Sequence, residues 1–156
     1  MRKTLLNQEP PPRVADDDQW LDLDHLAQVD ISSEDAAHPI EAALLPGGGG
    51  WRAGQGGEQT IRLLFDAPQA IRRILLLIEE TQQTRTQEFV LRWSADGGQT
   101  YRDIVRQQYN FSPPDATQQR ENYTVDLGGV TALELRIRPD ISGGDARASL
   151  ARWCVA

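Results

Sequence analysis

The chain has 156 residues, a one-domain length, and 39% of them are apolar, which is enough for one sizeable core. Its 16 basic and 23 acidic residues give a net charge of −7, which argues against a general polyanion binder. One cysteine and two histidines exclude a disulfide framework and a thiolate-rich or histidine-rich metal centre. The longest apolar run, Ile74 to Ile78, is far too short for a membrane span, and no apolar leader segment precedes the first prolines. We therefore expect a soluble, cytoplasmic protein with no membrane partner.

The charge is distributed unevenly along the chain. Residues 1–50 contain three basic and ten acidic residues, whereas the remaining 106 residues contain 13 of each sign. The prolines at 10–12 favour extended backbone, and the three aspartates at 16–18 repel one another. These features predict an extended arm over residues 1–18 and a single domain over residues 19–156, with Trp20 and Leu21 as its first anchors.

The first elements of the domain are short. Residues 27–32 alternate apolar and polar side chains, which predicts a strand. Pro39 suits a first helical position and Pro46-Gly47 a helix end, so residues 39–45 are predicted to form a short helix. Seven glycines between 47 and 57 then predict a loop around Trp51.

From residue 60 onward the period of the apolar residues is two, which is typical of strands. The predicted strands cover residues 60–65, 71–78, 89–93, 101–105, 123–127, 133–137 and 149–155. In the last of them, alternation places Leu150, Arg152 and Cys154 on one face and Trp153 on the other. Residues 94–100 contain Asp96-Gly97, a hairpin signal, because glycine supplies the positive φ that tight turns need. About eight strands, one early helix and no βαβ alternation predict an all-β, antiparallel β-sandwich.

Catalytic chemistry has few candidates in this sequence. Cys154 lies in an apolar strand and is interpreted as a core residue. His25 and His38 have no partner at metal-ligand spacing, and the glycine run lacks the Gly-Lys-Ser/Thr ending of a phosphate loop. Glu79 and Glu80 are adjacent, so in a strand they face opposite ways and do not form a carboxylate pair. We therefore predict that the protein is not an enzyme and has no catalytic residue and no cofactor, with a structural calcium in an acidic loop left open.

The turn at residues 94–101, Ser-Ala-Asp-Gly-Gly-Gln-Thr-Tyr, resembles the turn that joins two central strands of discoidin-like (F5/8 type C, galactose-binding-like) domains. The alternating strands, the early helix and the Trp-containing loop are similar to that family as well. The resemblance covers residues 27–156 and implies a jelly-roll β-sandwich. It also implies a ligand bound across loops at one end of the sandwich.

Two further stretches look like the amino-terminal domain of the X-ray repair scaffold of single-strand-break repair. Residues 32–41 are similar to its Ser-Ser-x-Asp-x-x-His-x-x-Glu, and residues 51–61 contain Trp-Arg-Ala followed by Gly-Glu-x-Thr-Ile. A Ser-Pro pair at 112–113 lies in a similar loop. From the residues alone, Trp51 is expected to plug the base of the sandwich, and Asp35 and His38 to tie the helix to its loop.

The first functional hypothesis is a non-catalytic module whose ligand, by resemblance, is a carbohydrate. Sugar binding uses a ring for stacking and planar polar side chains that reach hydroxyl groups. The stretches at 82–86 and 107–111 offer both kinds of side chain. We predict Gln83, Arg85, Tyr109 and Asn110 as the ligand-binding residues.

The second hypothesis, implied by the repair-scaffold resemblance, is an intracellular module that docks a protein partner. Its predicted anchors are Trp93, Trp153, Arg136 and Arg138, since buried aromatic and arginine side chains dominate interfaces. A solvated sheet face explains the charged pattern at 134–138 equally well. DNA binding is a third and weaker hypothesis because residues 51–156 carry no net charge. The sequence does not decide between these partners or give the oligomeric state.

Overall fold

The computed structural model of the protein describes residues 20–156, so the predicted arm at residues 1–18 lies outside the described residues. The elements in chain order are α1 (Leu23–Leu26), β1 (Ala27–Ile31), α2 (Glu41–Leu44), β2 (Trp51–Arg52), β3 (Gln59–Glu79), β4 (Arg85–Ser94), β5 (Arg102–Phe111), β6 (Gln118–Arg138), β7 (Ser149–Leu150) and β8 (Arg152–Val155). All strand pairs are antiparallel, which confirms the predicted all-β jelly-roll sandwich of about eight strands. β1 and α2 confirm the predicted early strand and helix, whereas the single turn of α1 was not predicted.

The architecture is organised by one long strand pair. β3 and β6 pair along their whole length, from Gln59 opposite Ile137 to Glu79 opposite Gln118. One layer consists of β1, the first half of β3, the second half of β6, β4 and β5, hydrogen-bonded in that order. We name it the front layer. The second half of β3 lies between β8 and the first half of β6 and forms the back layer. Each of the two long strands therefore belongs to both layers.

The structure joins two pairs of strands that the sequence predicts to be separate: 60–65 with 71–78 in β3, and 123–127 with 133–137 in β6. Register shifts between residues 64 and 73 mark the bend. Pro68 lacks a backbone N–H and lies there, and Gly129 on the facing strand has φ +66°. The chain therefore turns from one layer to the other without leaving the ladder, a feature that local periodicity does not reveal.

The two inner faces form one apolar core, and each burial of a large side chain in it contributes about 1.5–3 kcal/mol. The largest fully buried residues include Trp51, Trp153, Phe89, Phe111, Leu76 and Leu133. Trp51 is 2% exposed and its indole N–H donates to the carbonyl oxygen of Ser33 at 3.1 Å, which confirms that it plugs the sandwich. Leu21 is anchored by its backbone N–H, which donates to Val155 at 2.8 Å.

The prediction for the last strand is wrong in one respect. Residues 149–155 form two strands, because Ala151 leaves the ladder and its N–H donates to the carbonyl of Leu77. The interruption changes the alternation, so that Leu150 and Trp153 both reach the core. The prediction that Cys154 is a buried residue is confirmed.

The outer face of the front layer carries a row of alternating charges. Cross-strand neighbours in this row are, in order, Asp30, Arg62, Glu134, Arg92 and Asp103. Glu134 at its centre has no exposed side-chain surface; Arg62 Nε lies 2.8 Å, Arg92 Nη1 3.3 Å and Arg136 Nε 2.8 Å from its carboxylate oxygens. The guanidinium groups thus supply the charge compensation that a buried carboxylate requires.

Replacing Glu134 with glutamine should leave Arg62 and Arg136 without their counter-ion, whereas Arg92 keeps its ion pair with Asp103. We expect a loss of about 2–3 kcal/mol in the free energy of unfolding, somewhat below the usual cost for a fully buried pair, because Arg62 and Arg136 are 42% and 43% exposed. Denaturant unfolding measures this loss. The control Asp103→Asn, at the 60% exposed end of the row, should cost less than about 1 kcal/mol; equal losses for the two variants would contradict the central role of Glu134.

The predicted hairpin at 94–100 is confirmed as the connection between β4 and β5. Ser94 Oγ donates to Asp96 Oδ1 at 2.7 Å, and the backbone N–H of Thr100 donates to the same oxygen at 2.9 Å. Gly97 and Gly98 have φ of +75° and +88°, which only glycine adopts readily. The aspartate therefore holds the turn together from its centre.

The hydrogen bonds from Ser94 and Thr100 lower the pKa of Asp96 from its ordinary 3.8 to about 2. Because the folded-state pKa is the lower one, the stabilisation is complete above pH 3.8 and is lost as the pH falls toward 2. The difference in unfolding free energy between the protein and Asp96→Asn should therefore be constant near neutral pH and shrink between pH 4 and 2. A pH-independent difference for Asp96→Asn would contradict the assignment.

Candidate functional site

One end of the sandwich collects the long connections. Because the β3–β6 pair is bent back on itself, both ends of β3, Gln59 and Glu79, lie at this end, which we name the loop end. The segments at 32–50, 80–84, 112–117 and 139–148 meet there. Glu80 N–H donates to Thr117 O at 2.8 Å, and Ser33 Oγ to Gln59 Oε1 at 2.7 Å. The 94–100 hairpin lies at the opposite end.

The loop end contains a polar pocket of about 220 Å³, which we name the loop-end pocket. One wall is the ribbon formed by β2 and β7. A second wall, beside it, is the end of β3 and the turn after it, with Glu79, Glu80 and Gln82. Ser149 Oγ donates to the carbonyl oxygen of Glu79 at 3.1 Å and so joins the two walls. His38 closes one side.

The β2–β7 ribbon presents arginines to the pocket by simple alternation. Trp51 is paired with Leu150, and both are buried, so their neighbours Arg52 and Ser149 face outward. The N–H of Ala53 donates to the carbonyl oxygen of Ala148, so the extended pairing continues one residue beyond β7. Arg147 is two residues before Ser149 and therefore lies on the same, outward side. Arg52 and Arg147 therefore both line the pocket.

The glycine run at 47–50 forms the rim of the pocket through close backbone approach. The N–H of Gly50 donates to the carbonyl oxygen of Ala42 in α2 at 3.1 Å, and a Cβ on Gly48 would overlap that same oxygen. Gly50 itself has φ +98°. The run is thus packed onto α2, and Trp51–Arg52 interrupts the predicted loop with a short strand.

A buried arginine supports the end of β3 and the turn after it, which form one wall of the pocket. Arg85 has no exposed side-chain surface, and its Nε donates to Glu80 Oε1 at 2.7 Å. Its Nη1 donates to Pro139 O at 2.7 Å and to Gln87 Oε1 at 3.1 Å, and the guanidinium carbon lies 4.7 Å from the centre of the Phe111 ring. These contacts fix the start of β4 against the turn that carries Gln82.

The ion pair also sets the charge of Glu80. Burial acts to raise the pKa of Glu80, but the hydrogen bonds from Arg85 and from the backbone amides of Gln82 and Gln83 outweigh it and leave the pKa below its ordinary 4.5. Glu80 is therefore an ionised carboxylate whose charge is balanced by Arg85, and it holds the turn together.

The remaining charges of the pocket are only partly compensated. Asp35 receives a hydrogen bond from His38 at 3.0 Å, which lowers its pKa, and the nearby Arg147 acts in the same direction. This bond confirms the predicted tie between Asp35 and His38. Within residues 20–156, the side chains of Arg52, Arg147 and Glu79 make no hydrogen bond or ion pair. The pocket thus offers two guanidinium groups and one carboxylate that have no ion-pair partner within the described part of the chain.

The four residues predicted from the sequence are not gathered in this pocket. Gln83 is exposed in the turn next to Gln82, and Arg85 is buried behind Glu80, which gives it a supporting position rather than an exposed one. Tyr109 and Asn110 lie on the edge strand β5, where Asn110 accepts a hydrogen bond from Thr86 Oγ1 at 2.8 Å. The four therefore follow the β4–β5 side of the loop end, and ligand binding by them stays a prediction.

Sequence reasoning missed the residues that line the pocket. The sequence did contain a signal for Arg52. Side chains alternate in a strand, so a buried Trp51 places the side chain of Arg52 on the outer face. Arg147 gave no such signal, because its position depends on the pairing of β7 with β2 about a hundred residues earlier. Glu79 was noted only as unsuited to a carboxylate pair.

Within residues 20–156, no group of three or more histidine, cysteine, aspartate or glutamate side chains is arranged to hold a metal ion. The same residues contain no helix that is long and apolar enough to cross a membrane.

Comparisons with known proteins identify the fold. No protein-family model matches the chain, and no curated protein matches its sequence. Among solved structures, a pectin-binding carbohydrate-binding module is similar with a TM-score of 0.56 and 19% identity, covering 83% of this chain and 89% of that one. The family 32 carbohydrate-binding module of Clostridium perfringens NanJ, in complex with galactose, has a TM-score of 0.54 and 13% identity, with 83% and 92% covered.

A third similar structure is the family 32 carbohydrate-binding module of AlyQ, in complex with 4,5-unsaturated mannuronic acid. Its TM-score is 0.53 and its identity 16%, with 84% of this chain and 95% of that one covered. This chain therefore has the galactose-binding-like jelly-roll fold of these modules over nearly the whole of its described part. The resemblance to the repair scaffold stays a prediction.

Removing Glu80 should destabilise the protein because Arg85 would remain buried without a counter-ion. We expect Glu80→Ala to lower the free energy of unfolding by about 3 kcal/mol. Glu79→Ala, at the exposed adjacent position, is the matched control and should change it by less than about 0.5 kcal/mol. Denaturant unfolding of both variants measures the difference, and similar losses would contradict the supporting role of the Arg85–Glu80 pair.

Proposed function

We propose that this protein is a non-catalytic carbohydrate-binding module and that the loop-end pocket is its ligand site. The observation that carries the proposal is the set of polar groups in the pocket: two guanidinium groups, a carboxylate and an amide line one cavity. The fold supports it, since the similar structures named above are modules that bind pectin, galactose or an unsaturated mannuronic acid.

The side chains fit the chemistry of a sugar. A sugar hydroxyl both donates and accepts hydrogen bonds, so it can donate to the Glu79 carboxylate while accepting from Arg52 or Arg147. Gln82 supplies a planar amide with both functions. Hydrogen bonds to charged groups are stronger than those between neutral groups, so Glu79, Arg52 and Arg147 would supply most of the affinity and would orient the sugar.

The size and shape of the pocket favour a single terminal sugar unit. Its volume of about 220 Å³ lies below the range of about 300–1,000 Å³ that is usual for drug-sized ligands. Its aromatic residue, Trp51, is buried, so recognition depends on hydrogen bonds more than on stacking. A Kd on the order of 1 mM per sugar unit, equivalent to about −4 kcal/mol, is therefore expected.

The protein-docking alternative has less support in the geometry. Of its predicted anchors, Trp153 is fully buried and Arg136 lies against Glu134. Part of the charged face at 134–138, the Glu134–Arg136 ion pair, is therefore satisfied within the protein. The carbohydrate proposal is preferred because the loop-end pocket leaves its charged groups free.

The proposal is tested by glycan-array screening followed by calorimetric titration of the best ligand. Glu79→Ala should weaken binding by about tenfold, the effect of losing one charged hydrogen bond. Glu58→Ala, an exposed glutamate that does not line the pocket, should leave the affinity unchanged. Failure of every sugar to bind the folded protein would contradict the proposed function, and an unchanged affinity in Glu79→Ala would contradict the site.

A further inference from the structure

The two free guanidinium groups of the loop-end pocket are close enough to act on one ligand group. Arg52 is paired with Ser149, and Arg147 is the residue two positions before Ser149, so the two arginines are diagonal cross-strand neighbours. Such neighbours lie about 7–8 Å apart, which is within reach of long side chains. Their guanidinium groups can therefore converge on a single anion between them.

Several other arginines already form ion pairs with carboxylates of the protein. Arg62, Arg92 and Arg136 surround Glu134, Arg85 is paired with Glu80, and Arg106 with Glu88. Two neighbouring guanidinium groups repel each other, and this repulsion costs stability unless an anion relieves it. Within residues 20–156, Arg52 and Arg147 have no ion-pair partner, so both guanidinium groups are available to an anion that enters the pocket.

Three carboxylates lie in or next to the pocket. Glu80 is paired with Arg85, and Asp35 is hydrogen-bonded to His38 and lies near Arg147. Glu79 forms no ion pair within residues 20–156. None of the three forms an ion pair with Arg52 or Arg147, so both guanidinium groups can still bind the carboxylate of a ligand.

From this arginine pair we infer that the ligand class is a carboxylated sugar, a terminal uronic acid unit of an acidic polysaccharide; this inference rests on the proposed function. The carboxylate of the sugar lies between Arg52 and Arg147, as a planar acceptor matched to two planar donors. The ring hydroxyls donate to Glu79 and exchange hydrogen bonds with Gln82. A neutral sugar makes these contacts too, but it offers the two arginines only a hydroxyl oxygen, which is a weaker acceptor than a carboxylate.

Salt dependence follows from the same geometry. Both arginines are exposed, so their attraction to a carboxylate is screened over about 8 Å at physiological ionic strength. Affinity for an acidic sugar should fall as salt rises, whereas affinity for the matched neutral sugar should change little. This difference distinguishes charge recognition from hydroxyl recognition.

The test is calorimetric titration with matched oligosaccharides that differ at carbon 6: galacturonic against galactose, glucuronic against glucose, and mannuronic against mannose oligomers. In at least one pair the acidic member should bind about tenfold more tightly. Arg147→Gln and Arg52→Gln should each lower the ratio of acidic to neutral affinity by about threefold, so that the two losses together account for the tenfold preference. Arg72→Gln, an exposed arginine in β3 outside the pocket, is the matched control and should leave the ratio unchanged.

Equal affinities within every pair, or a ratio that Arg147→Gln and Arg52→Gln leave unchanged, would overturn the inference while the carbohydrate-binding function stands. Failure of all six oligosaccharides, and of every sugar on a glycan array, to bind the folded protein would overturn the proposed function, and the inference with it. Unchanged melting temperatures of the arginine variants would show that a lowered ratio reflects the ligand contact rather than the fold.

Discussion

The antiparallel pairing of β3 with β6 is the constraint on which the rest of the structure depends. Two strands of 21 residues each remain paired through a bend, so one ladder supplies the centre of both layers. The bend brings Gln59 and Glu79, the two ends of β3, to the same end of the sandwich. Every connection that forms the loop-end pocket starts or finishes near one of these ends. If each layer had its own separate strand in place of β3, only the loops would determine where the walls of the pocket lie.

The charged residues show two different arrangements on this framework. On the front layer and behind the end of β3, arginines and glutamates form ion pairs within the protein, as around Glu134 and between Arg85 and Glu80. In the pocket, Arg52, Arg147 and Glu79 form no ion pair within residues 20–156. Internal pairing stabilises the scaffold, and the unpaired groups are left available for a ligand. This contrast, rather than the net charge of −7, is the electrostatic feature that bears on function.

The sequence predicts much of the fold, because alternation and turn chemistry are local signals. The 94–100 hairpin, β1, the core position of Trp51 and the sandwich class all follow from neighbouring residues. The bend in β3 and the pairing of β2 with β7 do not, since both depend on contacts between residues far apart in the chain. The position of Arg85 was beyond local reasoning for the same reason: its partner Pro139 lies 54 residues away. The walls of the candidate site are built from such distant contacts, so the fold is more predictable than the site.

The central claim is that a sugar binds between the β2–β7 ribbon and the end of β3, and a ¹⁵N-resolved NMR titration tests it most directly. Addition of a bound oligosaccharide should shift the amide signals of Arg52, of residues 79–82 and of residues 147–149, and leave the hairpin at 94–100 unchanged. Saturating shifts confined to the β4–β5 side, around Tyr109 and Asn110, would contradict the claim.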